Sequence, residues 1–199
     1  MTNNVESNIW KLYVIKSLRW FLLVMPIIVL FFQENGLSMM EILLLQSIFS
    51  IGIILFEIPS GYFSDVMGRK NTIIIACILG FIGFLIYSFS YGFIGFLIAE
   101  LMLGLGSSFL SGTDSAIVYD SLIQIKKEKE YKKIEGRMLS IGNFSEAIAS
   151  FIGGFIALIS LRAPFYVLTI ILFLAIPFAC TLIEPKRKKY KNKEGPIKE

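Results

Sequence analysis

Residues 61–70 read Gly61-Tyr62-Phe63-Ser64-Asp65-Val66-Met67-Gly68-Arg69-Lys70. The stretch is charged, yet it lies between two long apolar runs. A chain that crosses a bilayer keeps charge in water, in a cavity or at a protein contact, because an Asp-like charge at a helix centre costs roughly 2.5–3.5 kcal/mol on insertion scales. A compact turn with one carboxylate, two glycines and two adjacent cations therefore does more than connect two helices.

The rest of the chain supports a membrane setting. It is 55% hydrophobic and only 17% charged, with a mean hydropathy of +0.72, more apolar than a soluble domain of this length. The formal charge of +4 would point to an acidic partner if the cations were spread out. They are clustered, which reads as topology and implies no nucleic-acid partner. Cys77 and Cys180 both sit in apolar runs and read as small core hydrophobes. Histidine is absent, which excludes His-based metal sites and His catalysis. Lys11, Lys16 and Arg19 precede an apolar run without a small-x-small cleavage site, so the N-terminal run is expected to be a retained helix.

Six apolar segments can be drawn, at residues 12–32, 42–60, 71–89, 93–118, 139–159 and 163–183. Each is near the ~20 residues needed to cross ~30 Å of hydrocarbon. With both termini inside, every one of the 19 cations except Arg162 falls on the cytoplasmic side, as the positive-inside rule expects for six spans. The expectation is an all-α membrane protein of six transmembrane helices, arranged as two three-helix units. It divides into a bundle over 1–185 and a basic cytoplasmic tail over 186–199. Pro26 in the first span and Pro177 in the sixth remove helix hydrogen bonds and are expected to bend them.

Four carboxylates fall within these spans: Glu57, Glu100, Asp114 and Glu146. At 100° per residue, Ser107, Ser111 and Asp114 lie within about 40° of Glu100, and Gly104 shares that face. By the same arithmetic Gln46, Ser50 and Glu57 share a face of the second span. Glu146 shares a face of the fifth with Gly142, Asn143, Ser150 and Gly153. Three polar faces predict a wet cavity at their junction. Glycine and serine stripes also serve close helix packing. Glu57 and Asp114 read equally as structural ion pairs or functional groups. Arg19 reads either as snorkelling to the interface or as the partner of a carboxylate or an anionic substrate.

The 61–70 stretch resembles the signature of the major facilitator superfamily: Gly, three residues, Asp, a cation, one residue, Gly, Arg, then Arg or Lys. Gly61, Asp65, Gly68, Arg69 and Lys70 match in order and spacing, while Val66 stands where a cation is usual. Its place between the second and third spans is also the family's. The resemblance covers essentially the whole chain, as an N-terminal six-helix half. Physically, the glycines permit a tight turn, and the carboxylate can face a helix N-terminus. The resemblance further implies that Asp65 faces a second half and that Arg69 pairs with Asp120 at the inner end of the fourth helix. Two other family motifs are degraded. Glu100 stands where proton-coupled members often carry Arg before Gly104-Leu105-Gly106. In the fifth span only Gly153-Gly154 remains of an exporter-type Gly-Pro-x-x-Gly-Gly.

The resemblance implies a secondary transporter half moving a small-molecule substrate through the plasma membrane, with proton coupling open. Glu100, Asp114, Glu146, Glu57, Arg19, Gln46 and Asn143 are its candidate cavity and coupling residues. Gly61, Asp65, Gly68, Arg69, Lys70 and Asp120 are its candidate gate. The partners implied are the lipid bilayer and a second six-helix half, as a separate chain, a missing C-terminal half or a second copy. No cofactor or metal is expected. A non-transporting membrane scaffold or assembly subunit is the competing reading. Neither Gly-x-Ser-x-Gly nor His-Glu-x-x-His occurs, so no enzyme is expected.

Overall fold

A computed structural model describes residues 3–186, with side chains from residue 5. The expected tail over 186–199 therefore lies almost wholly outside the described residues. All regular structure among the described residues is helical: α1 (Asn3–Arg19), α2 (Ile28–Glu34), α3 (Met39–Met67), α4 (Arg69–Phe89), α5 (Gly92–Leu110), α6 (Thr113–Gln124), α7 (Tyr131–Ala157) and α8 (Ala163–Cys180). A short 3-10 turn, Glu128–Glu130, precedes α7.

Among the described residues, five stretches are long and apolar enough to cross a membrane: Met39–Met67, Arg69–Phe89, Gly92–Gln124, Glu128–Ala157 and Ala163–Cys180. The span expected at 12–32 is instead two helices with a non-helical break at residues 20–27. Pro26 accounts for much of this. It cannot donate to a carbonyl one turn back, and it disfavours helical geometry at Met25. Short-range bonds replace the ladder: Leu23 N–H donates to Phe21, Met25 to Leu22 and Ile27 to Val24. The predicted bend at Pro26 is thus a break, whereas Pro177 sits in the last turn of α8.

Two other boundaries differ from expectation. The second span does not end at Ser60, because α3 continues through Met67 across Pro59 and Gly61. The turn is only Gly68, at φ +96°, a left-handed conformation that glycine tolerates. The fourth span is divided at Gly112, φ +71°, into α5 and α6. Cys77 is buried as expected, but Cys180 is exposed on α8.

The interior has two apolar cores. One gathers Phe31, Phe32, Tyr87, Phe96 and Phe165, near the loops at 35–38, 90–91 and 158–162. The other gathers Leu12, Ile73, Ile117, Met138 and Ala179, near the opposite loops. Along each of α4 and α8 the residues pass from one core to the other. Outside both cores, large apolar side chains such as Ile54, Ile58, Phe151 and Phe173 are exposed. That outward apolar surface suits contact with a bilayer.

Candidate functional site

Between the two cores lies a cavity of about 600 Å³. The break in the first segment supplies Trp20, Leu22, Val24 and Met25 to its wall. Non-helical backbone at membrane depth is tolerated where it lines a cavity or is buried in protein, and this segment does both. The break is held closely by α7. A Cβ on Gly153 would collide with the carbonyl of Leu23, so only glycine lets α7 approach there. Gly142 faces the Trp20 ring more loosely, with 3.1 Å between its ideal Cβ and the ring, a tight side-chain contact rather than a backbone clash.

Polar groups are few and placed at distinct levels. Glu100 is 4% exposed and lines the cavity. Gln46 Nε2 donates to Glu100 Oε1 at 3.0 Å, and the Tyr87 hydroxyl donates to the same oxygen at 2.6 Å. Tyr87 is fully buried and stacks on Phe96, with 5.4 Å between ring centroids. Further along, Lys16 Nζ pairs with Asp114 at 3.0 Å and lies 5.1 Å from the Trp20 ring centroid. Arg19 donates to the Ala76 carbonyl at 2.6 Å, with its guanidinium against Gly80. Ser107, Ser111 and Glu146 complete the polar lining. A weakly polar cavity with a buried carboxyl at one level and an ion pair at another has the room and the polar contacts to hold a small solute.

The cavity brings together Arg19, Gln46, Glu100, Asp114 and Glu146. It leaves out Glu57, which is exposed on α3 and accepts from Ser111 Oγ at 3.2 Å. It also leaves out Asn143, which is exposed on α7. The small residues of α5 serve packing: Gly104 sits against the Phe49 backbone of α3 and Gly106 against α4.

The 68–70 turn lies at one end of the bundle. Arg69 Nη1 is 2.9 Å from Asp120 Oδ2, an ion pair whose angle is not that of a hydrogen bond. Asp65 is exposed on the last turn of α3, as Gly61 is on the turn before. A carboxylate at the N-terminus of α4 is Glu184, accepting from the N–H groups of Arg69 (2.9 Å) and Lys70 (2.7 Å). Its carboxyl would meet any side chain at Gly68, at 3.1–3.2 Å from an ideal Cβ. Asn8, fully buried, donates its side-chain amide to the Ile183 carbonyl and accepts from the Ile183 N–H. At this same end Glu6 accepts from Lys127 at 2.6 Å, and that hydrogen bond holds the lysine above its ordinary pKa.

At the opposite end Arg162 donates to the carbonyls of Tyr87, Ser88 and Ser90 and to the Asn35 side chain. Its guanidinium also lies 4.1 Å from the Tyr91 ring centroid. It thereby satisfies carbonyls that the end of α4 leaves open. Tyr87, Glu184, Asn8, Trp20 and the contacts of Arg162 were not reached from the sequence. Helical periodicity relates residues on one helix, and each of these meets another element. Only Glu184 carried a signal, as the sole carboxylate directly after the last apolar run.

A family model described as Major Facilitator Superfamily matches residues 11–198. The Quinolone resistance protein NorA of Staphylococcus aureus is 24% identical over 166 residues, covering 83% of this chain and 42% of NorA. The Uncharacterized MFS-type transporter MJ1560 of Methanocaldococcus jannaschii is 28% identical over 143 residues, covering 71% of this chain and 36% of that protein. The chain thus spans less than half the length of the relatives it matches.

Proposed function

We propose, since this chain belongs to the Major Facilitator Superfamily, that it forms one six-pass half of a secondary transporter for a small solute, with Glu100 as the proton-exchanging group. Membrane transport at the general level, and a multi-pass integral membrane protein, follow from the family and from the apolar helices. The observation that carries the finer reading is the cavity between the two cores, with a buried carboxyl in its wall. A sixth pass is assigned to α1, the break and α2 together. Its support is that Asn8 meets Ile183 at one end of the bundle while Asn35 meets Arg162 at the other. The two three-helix units and both cytoplasmic termini follow from that count and from the placement of the cations.

The solute we propose is small and amphipathic, because Trp20, Phe49 and Phe84 line the cavity beside Glu100. The printed name of NorA makes a quinolone one probe among several. The second half, whether a separate chain, the remainder of a longer chain or a second copy, would close the cavity. Gly61, Asp65, Gly68, Arg69, Lys70 and Asp120 form the inner gate in this reading. Residues 1–185 then form the transmembrane half and 186–199 the start of a basic linker, in the plasma membrane.

The test is solute flux in proteoliposomes, with this chain alone and together with a candidate six-helix second half. Flux of a quinolone or another amphipathic probe above empty vesicles supports transport, and Glu100→Gln should then change its pH dependence. An unaltered pH profile returns Glu100 to a structural role. No flux in either preparation sinks transport and leaves the scaffold reading.

A further inference from the structure

Both hydrogen bonds to Glu100 converge on one oxygen. Tyr87 and Gln46 donate to Oε1, and Oε2 has no hydrogen-bond partner among the described residues. The two donors come from different helices, α4 and α3, and α5 carries the carboxyl between them. They differ in how firmly they are held. Tyr87 is fully buried in the aromatic core, ringed by Phe32, Phe84, Phe96 and Phe165, so its hydroxyl has one place to go. Gln46 is exposed on α3. The charged groups that share the cavity with Glu100 are Lys16 and Arg19 of α1, Asp114 of α6 and Glu146 of α7. Lys16 is already engaged by Asp114 and Arg19 by the Ala76 carbonyl.

We propose that Tyr87 is a positioning residue: with Gln46 it pins Oε1 of Glu100, so that Oε2 alone is presented to the cavity. The proposal rests on the transport reading for its consequence, since a transporter would use Oε2 to carry a proton or to meet a donor on the solute. In the protonated state the hydrogen resides on Oε2, and Oε1 remains the carbonyl that accepts from the phenol. In the ionised state Oε1 keeps both donors, and Oε2 is the acceptor offered to the cavity. The rigid donor fixes the direction of this acceptor, which a carboxyl held only by Gln46 would lack.

The test is infrared difference spectroscopy of the full chain in nanodiscs, between acid and alkaline pH. The carboxylic C=O band of Glu100 is the one lost in Glu100→Gln. In Tyr87→Phe that band should move to higher wavenumber, because its carbonyl has lost a donor. Gln46→Leu should move it in the same direction. Growing the wild-type chain with fluorotyrosine, a stronger donor, should move it to lower wavenumber, and this arm keeps the Tyr87 hydroxyl in place while replacing all eight tyrosines. A band unchanged by both Tyr87→Phe and fluorotyrosine, or no band lost in Glu100→Gln, overturns the proposal. A purely structural Tyr87 would alter unfolding without moving the band. None of these readouts needs flux, so the positioning role and the transport reading fail separately.

Discussion

Gly153 and Gly154 are neighbours on α7, and the structure gives them opposite fates. An ideal Cβ on Gly154 meets nothing within 4 Å, whereas one on Gly153 runs into the carbonyl carbon and oxygen of Leu23. Those are backbone atoms, so no rotamer change can clear the clash. Alanine at a helix-interior glycine gains roughly 0.8–1 kcal/mol of intrinsic propensity, a gain shared by both positions. Overpacking typically costs about 1–3 kcal/mol. Gly154→Ala should therefore be neutral or mildly stabilising. Gly153→Ala should fall about 1–3 kcal/mol below it, a difference of roughly fivefold to 150-fold in the unfolding equilibrium. Reversible unfolding in mixed micelles titrated with SDS measures that difference directly. The clash also bears on the cavity wall, because Leu22, Val24 and Met25 flank the displaced carbonyl. Binding of an amphipathic probe should weaken in Gly153→Ala and not in Gly154→Ala. Equal stability of the two variants would refute the close approach of α7 to the break, and with it the account of why residues 20–27 hold their non-helical course.

Arg69→Ala and Asp120→Ala should each lose about 1–3 kcal/mol, since either removes one side of a mostly buried ion pair. The double variant should lose less than the sum, which a double-mutant cycle by the same SDS titration measures. Glu184→Ala should cost about 1 kcal/mol by removing the acceptor of two N–H groups at the start of α4, a loss comparable to that of an N-cap residue. Hydrogen exchange at Arg69 and Lys70 should rise in that variant. The Glu6–Lys127 pair raises the lysine pKa, so its contribution is fully present below the unfolded-state value and is lost as pH climbs through the folded-state value. Wild type and Glu6→Gln should therefore differ little in neutral buffer, because the pair is half exposed, and any difference should vanish in alkaline titration followed by circular dichroism.

What could be read from sequence depended on whether the cause was local or lay between elements. Hydropathy and the segregation of cations reached the long apolar helices, and the spacing of Glu100, Ser107 and Asp114 reached three residues that line the cavity. Each is a property of a single segment against its surroundings. The Arg69–Asp120 contact was reached differently, through a resemblance that supplied a relation between segments which periodicity cannot supply. Where neither source applied, the reading failed in an understandable direction. Composition alone made 12–32 one helix, because Trp20, Phe21, Leu22 and Leu23 are as apolar as a helix requires; Pro26 removes a ladder bond and disfavours helix at Met25, and what makes the broken course tenable is the missing side chain of Gly153 on another helix. The end of α3 failed for the opposite reason. Gly61 looked like punctuation, yet its backbone stays helical, and the helix runs on until Gly68, where the backbone does turn left-handed. A glycine in this chain is informative through its backbone, as at Gly112, or through its neighbours. Gly61 and Gly154 have no near neighbour, whereas Gly68 and Gly153 each meet one from a distant part of the chain, Glu184 and Leu23. The degraded exporter-type pair Gly153-Gly154 thus retains, in its first member, the glycine that the cavity wall requires.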